Sequence, residues 1–365
     1  MTFLPYLVLL VIMTVLVIPK IRSKNIFFFR QRAMNNVLCI LAYIIYIVFV
    51  LTKKIDLGIG ATDAYYYRDY FLSINTTLHD YLTNITTFEP GYSIISWFIR
   101  QYTSNYLVML FIWHTLTFIL LINFMEVAYA HKTNFFVILL ILSLLLTQLN
   151  TLRMSISISL SLYSMTQMNK KHWRGALLII IAAISIQVSA VIMIPVWLIS
   201  YIFSKKESIS KALLTFFIIL GIICAAGSVR IIEWLVADTE KAVYLGQSSL
   251  SIGTYMAVII ILFLSYWKCR EMIKINAFNR ILMLALPVCL ICMPLQYNIS
   301  IMYRLTLYFI PIMLALIPSL QRCYCKRNID FLITNVCLCS YIFIRIYKFC
   351  VEDCFYIGQY ISTFL

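Results

Sequence analysis

The sequence predicts an all-α fold, a polytopic helical membrane protein of about twelve crossings, within roughly ten to thirteen. Three observations carry this. Hydrophobic residues make up 63% of the 365, charged residues only 12%, and the mean hydropathy is +0.93; soluble domains carry about 25% charged residues. Charge-free runs recur along the chain at about the 20-residue length that spans a hydrocarbon core. Most of the 29 Lys and Arg fall in alternate connections between those runs, the sorting expected of cytoplasmic loops. The apolar runs are continuous rather than alternating, which excludes a β-barrel pattern. The net charge of +15 follows from the loop bias and calls for no nucleic-acid partner.

Met1–Pro19 is the first run. It has no charge before it and Lys20, Arg22, Lys24, Arg30 and Arg32 after it, which sets the N-terminus outside. With no basic n-region and no small-residue cleavage site, it does not read as a cleaved signal. Ala33–Thr52 follows, then a long extracytoplasmic loop over about 53–103 holding Asp56, Asp63, Asp69, Asp80 and Glu89. Gln101–Met125, Thr133–Leu152 and Met154–Asn169 are the next runs. Gly175–Ser204 is long for one crossing and short for two. It is basic on both flanks, with Lys170, Lys171 and Arg174 before and Lys205, Lys206 and Lys211 after, so it reads as a tight hairpin turning near Gln187–Ser189. Ala212–Val229, a second outside loop over about 230–252, Ala242–Trp267, Ile281–Tyr303, Leu305–Gln321 and the weaker Phe331–Ile344 complete the order. No low-complexity linker divides the chain, so residues 1–365 read as one integral membrane domain.

The sequence contains no P-loop, dinucleotide fingerprint, GxSxG or HExxH motif. Its four histidines, His79, His114, His131 and His172, are scattered and read as loop or interfacial residues. Cys289 and Cys292 have a redox-like spacing inside an apolar run, where cysteine behaves as a small hydrophobe. Cys350 and Cys354 fall outside and could pair. Nothing calls for a metal or a cofactor.

The informative residues are ionisable groups at the outer ends of spans, where burial is costly. Arg153 follows the polar turn Thr147–Leu152, and Arg304 interrupts the late apolar stretch; neither has an acidic neighbour in sequence. Arg100 and Arg68 lie in the first outside loop and Arg230 in the second. One reading is that each snorkels or pairs with a loop carboxylate. The other is that they converge on an anion, because guanidinium matches phosphate oxygens bidentately and stays charged when desolvated. Pro90 is suited to start a helix and pushes Glu89 out of helical geometry. Glu89 then reads either as a plain helix-start residue over the dipole or as a carboxylate fixed at a cavity mouth. The Tyr65–Tyr70 cluster reads as interfacial belt or as faces for sugar rings.

Four places together resemble the EpsG-type, Wzy-like family of bacterial polysaccharide polymerases. They are Ile59–Tyr67, with a small-residue, Asp, Tyr loop; Phe88-Glu89-Pro90-Gly91-Tyr92; Leu152-Arg153-Met154-Ser155-Ile156; and Tyr303-Arg304-Leu305 with Tyr308-Phe309. Two places depart from the family pattern. Lys53 and Lys54 stand where an Arg is common, and Gln187 stands where the hairpin often carries a His. Gln187 hydrogen-bonds but carries no charge, so no imidazole base is assigned.

The resemblance implies a multi-pass protein of the bacterial inner membrane. It would join undecaprenyl-pyrophosphate-linked oligosaccharide units on the outer face, for O-antigen, capsule or exopolysaccharide. The expected roles are Arg153 and Arg304, with Arg100, Arg68 and Arg230 in reserve, on the pyrophosphate; Glu89 or Asp63 as the proton-accepting catalytic carboxylate; and Tyr66, Tyr92 and Gln187 on the sugars. A chain-length regulator and a flippase of the same pathway are the expected partners, beside the bilayer itself. A lipid-linked oligosaccharide flippase and a polysaccharide-modifying acyltransferase are the alternatives.

Overall fold

The computed structural model describes residues 4–22, 29–55, 62–74, 77, 88–129, 134–203, 252–293 and 303–351. The described residues are predominantly helical, with no strand among them. In chain order the helices are α1 (Leu4–Arg22), α2 (Phe29–Leu51), α3 (Thr62–Ser73), α4 (Pro90–Tyr102), α5 (Tyr106–Ala128), α6 (Phe135–Thr147), α7 (Leu152–Asn169), α8 (Trp173–Ile186), α9 (Met193–Phe203), α10 (Ile252–Trp267), α11 (Cys269–Ile275), α12 (Asn279–Cys292), α13 (Tyr303–Thr306), α14 (Ile310–Tyr324) and α15 (Asn328–Val351). A 3-10 segment, Val188–Ile192, joins α8 to α9.

Three stretches among the described residues, Leu4–Arg22, Ala33–Leu51 and Tyr106–Ala128, are long and apolar enough to cross a membrane. Several others are apolar but shorter, because polar turns cut the apolar runs. Thr133–Leu152 gives a helix only over α6: Asn134 caps its start, accepting from Phe136 N–H at 2.9 Å, and the chain leaves the helix through a tight turn at Gln148–Asn150. That turn is buried, and Gln148 Nε2 donates to Thr117 Oγ1 at 2.8 Å. The expected crossing Ala212–Val229 and nearly all of the 230–252 loop lie outside the described residues. The stretch expected to form the first outside loop, 53–103, is partly helical among its described residues and holds α3 and α4.

The fold forms two compact units. The first comprises Met1–Tyr163, Ile181–Val188 and Arg327–Leu365. Here α1 lies along α2 and also packs on α6, α2 packs on α5, and α15 packs on α6. Asn134 Nδ2 donates to Asn335 Oδ1 at 2.8 Å, tying α15 to the start of α6. Helix α7 opens with alternating serines that a strand could use equally well. They are buried, and Ser157 Oγ donates to the Ala183 carbonyl at 3.0 Å, the close approach that small side chains permit. His114, expected at an interface or in a loop, is instead fully buried within α5, beside the Tyr46 hydroxyl at 2.5 Å. Position along α5 decides this, since a lone histidine in an apolar run has no local signal of its depth. His172 does sit in an exposed turn, whereas His79 and His131 lie outside the described residues.

The second unit comprises Ser164–Ile180 and Ser189–Lys326. Helix α12 is its core, with nearly every side chain buried, and α9, α10, α11 and α14 pack on it. Asn279 anchors it, donating to the Met272 carbonyl at 2.8 Å and to Ser319 Oγ at 2.9 Å. Cys289 and Cys292 are both buried here among apolar side chains, as the small-hydrophobe reading expects. The expected hairpin forms. Trp197 Nε1 donates to the Trp173 carbonyl at 3.0 Å, and the Tyr201 ring meets the Trp173 ring edge-on at 5.5 Å, so α9 returns beside the start of α8. Cys350 lies near the end of α15, and Cys354 lies outside the described residues.

Candidate functional site

The site is built in the first unit from four separated stretches. Pro90 occupies the first turn of α4, and Glu89 precedes it with extended backbone, φ −62° and ψ 148°. That is the geometry expected from the proline. The Glu89 side chain does not cap its own helix. It turns away, and Glu89 Oε2 accepts from Arg153 Nη1 in a close ion pair. Its second oxygen, Oε1, accepts from the Val188 backbone N–H at 3.3 Å. The break in the hairpin after Ile186 frees that N–H, because the first N–H groups of a new helical segment have no intrahelical acceptor.

Arg153 lies in the first turn of α7. Besides Glu89 it reaches Tyr67, to whose hydroxyl its Nε donates at 3.4 Å. Its guanidinium carbon stands 4.3 Å from the Phe88 ring centroid, 5.6 Å from Tyr67 and 5.8 Å from Tyr92. Each ring is within the reach of a cation–π contact. Both ion-pair side chains keep only 16% of their surface exposed. A charge pair with so little water around it is held by its mutual attraction and by the rings and N–H around it.

The cage stands on an aromatic core. Tyr92 stacks on Trp113 at 5.8 Å, Tyr70 meets Phe88 edge-on at 4.3 Å, and the Tyr70 hydroxyl hydrogen-bonds Ser93 Oγ at 2.8 Å. Tyr92 and Phe71 are wholly buried. Gly91 makes the approach of α4 to α8 possible: a Cβ there would lie 2.8 Å from the backbone carbonyl carbon of Ser185.

The remaining expected site residues divide by place. Asp63 is in the first turn of α3, and its N–H donates to Asn150 Oδ1 at 2.8 Å, which joins that helix start to the turn just before Arg153. Gln187 is nearly buried and immediately precedes the N–H that Glu89 accepts from. Tyr66 is 60% exposed. Tyr92, with no exposed face, walls the cage. Arg68 Nη1 donates to the Ile55 carbonyl, and its guanidinium lies 5.2 Å from the Tyr65 ring. Arg100, in the last turn of α4, lies 5.8 Å from the Phe71 ring. Lys53 is buried over the Tyr6 ring at 5.7 Å. Arg304 is in α13 of the second unit, where Tyr308 is buried and its hydroxyl hydrogen-bonds Ser189 Oγ at 3.1 Å. Arg230 lies outside the described residues.

Sequence reading missed the partner of Arg153, because Glu89 stands 64 positions away. It also missed Phe88, Tyr67 and the Val188 N–H as components of one site. The available signal was that Tyr67, Phe88, Glu89 and Arg153 all lie in the stretches that carry the family resemblance.

These stretches fall within a family match that spans residues 40–362 and is described as the EpsG family. The chain belongs to the EpsG family. Comparison with curated proteins and with solved structures gives no match. EpsG membership and the apolar helices make it a membrane protein of polysaccharide biosynthesis. Of the four stretches that carry the EpsG resemblance, Phe88–Tyr92 and Leu152–Ile156 meet directly at the ion pair. The described end of Ile59–Tyr67 joins them through Tyr67 and Asp63.

Proposed function

We propose that this protein polymerises lipid-linked oligosaccharide repeat units on the outer face of the bacterial inner membrane, by glycosyl transfer from undecaprenyl pyrophosphate. The observation that carries the proposal is the Arg153–Glu89 pair: a cation and a carboxylate brought together inside an aromatic cage by two stretches that the family resemblance singles out. EpsG-family membership supports it independently.

The chemistry needs little else. The bond between the anomeric carbon of the growing chain and the pyrophosphate oxygen breaks, and a new bond forms to a hydroxyl of the incoming unit. The hydroxyl proton must be accepted, and negative charge must be stabilised on the departing pyrophosphate. In this geometry Glu89 occupies Arg153, the pairing with a loop carboxylate that was one of the two expectations for a rim arginine. Glu89 gives the guanidinium one oxygen and spends the other on the Val188 N–H, whereas a phosphate can offer it two, with more charge. On this reading the leaving group replaces Glu89 on Arg153, and the released carboxylate takes the acceptor proton. Asp63 is the alternative base. From the sequence resemblance alone, Arg304 is a further candidate cation for the pyrophosphate. The departing pyrophosphate is already an activated leaving group, so no nucleotide is required.

The test is deletion of the gene in its native strain, complementation with wild type or Arg153→Ala, and surface polysaccharide resolved by size. A long ladder collapsing to a single repeat unit, restored by wild type and not by a well-expressed Arg153→Ala, is the expected result. Normal-length polymer in that variant overturns the role of Arg153.

One observation favours a second reading, a flippase or transporter. His114 is an ionisable side chain fully enclosed mid-helix against Tyr46, and intramembrane ionisable groups mark transport paths in many proteins. Loss of even the single unit on deletion supports that reading over polymerisation.

A further inference from the structure

A groove of about 370 Å³ runs between α2 and α5 in the first unit. Roughly 300–1,000 Å³ is the usual size of a small-molecule site. Its walls are mostly apolar, with Ile40 from α2 and Phe118, Ile119 and Ile122 from α5, and Thr115 and Asn123 add polar groups. Ile40 and Ile119 are 56% and 51% exposed. They belong to stretches long and apolar enough to cross the membrane, so their exposed sides face acyl chains. One end of the groove differs. There Lys20 Nζ stands 3.2 Å from Glu126 Oε1 and donates to Asn36 Oδ1 at 2.7 Å. The Lys20 and Glu126 side chains keep 24% and 25% of their surface exposed, so both charges remain reachable.

A lone basic residue at the end of such a groove would suit any anionic head group. A cation and an anion side by side at the end of an apolar groove suit a zwitterion. We infer that the groove binds a phospholipid with a phosphoethanolamine head group, its phosphate on Lys20, its primary ammonium on Glu126 and an acyl chain along Ile40 and Ile119. The N–H donors matter, because a quaternary ammonium cannot hydrogen-bond the carboxylate. A phosphoglycerol head group offers no cation and sets its phosphate beside Glu126. The site is remote in kind from the Arg153 cage and does not depend on the polymerase reading.

The test uses the full chain purified in detergent, with thermal unfolding followed on addition of dioleoyl phosphatidylethanolamine, phosphatidylcholine or phosphatidylglycerol. A ligand that binds only the folded state raises the midpoint. The phosphatidylethanolamine shift is expected to exceed the other two clearly. It should vanish in Ile40→Trp, which fills the groove from an exposed position. It should persist in Ile44→Trp, which adds the same bulk to the same helix at a half-exposed residue that does not line the groove. Equal shifts from all three lipids, or an undiminished shift in Ile40→Trp, overturn the inference. The readout involves no polysaccharide, so it fails or succeeds apart from the proposed activity.

Discussion

Arg153 and Glu89 stand 64 positions apart in the chain and form a close ion pair whose two side chains are each only 16% exposed. Neither is held by its own helix. The carboxylate leaves the start of α4, and the guanidinium leaves the start of α7, to meet beneath Phe88 and Tyr67. A pair arranged in this way has consequences that mutation can read.

Replacing Arg153 by Ala leaves Glu89 enclosed without its cation. Breaking a fully buried pair from one side costs about 3–5 kcal/mol, and this part-buried pair is expected to cost less. Lys restores charge but cannot hydrogen-bond Glu89 and Tyr67 at once while lying flat on Phe88. Arg153→Lys is therefore expected to recover expression and folding more than it recovers polymer. Fluorescence-detected gel filtration beside the polysaccharide ladder separates the two effects, and full-length polymer from the Lys variant would show that charge alone suffices.

Gly91→Ala tests the approach of α4 to α8. The new Cβ would sit 2.8 Å from both the carbonyl carbon and the Cβ of Ser185. Overpacking of this kind costs about 1–3 kcal/mol, and here it displaces Glu89, two residues earlier. A lower melting midpoint and shortened polymer are expected. Ser185→Gly in the same chain should rescue only in part, because the backbone contact remains.

Asn150→Ala removes the acceptor for the Asp63 N–H at the start of α3. A net loss of about 1 kcal/mol follows from one such hydrogen bond. Asn150→Asp should be tolerated less well than its isosteric shape suggests, since it places a second carboxylate beside Asp63. Thermal unfolding of the two variants side by side checks this, and equal stability would count against the contact.

Lys171 is the one non-glycine residue with positive φ among the described residues, at 62°. It ends α7 in a doubly bonded turn, with its own N–H to the Met168 carbonyl and the His172 N–H to the Gln167 carbonyl. A left-handed conformation costs an L-residue about 1 kcal/mol that glycine does not incur. Lys171→Gly should leave polymer length unchanged and raise the melting midpoint slightly; a fall would mean that the lysine side chain matters more than the backbone.

The sequence by itself determined much of this protein. Composition and charge-free runs fixed an all-helical membrane protein, because hydropathy acts locally and needs no partner. Pro90 fixed the start of α4 and the extended backbone of Glu89, and the two basic flanks of Gly175–Ser204 foretold the hairpin that Trp197 closes on Trp173. Tertiary structure decided the rest. Helix lengths fell short of the apolar runs where buried turns such as Gln148–Asn150 found partners across the bundle. His114 went into the core rather than to an interface. Arg153, which has no acidic neighbour in sequence, was given Glu89. Local chemistry ranks a residue as ionisable or apolar, but which two charges meet depends on how α4, α7 and the break after α8 pack. That is a long-range relation that the order of residues does not spell out.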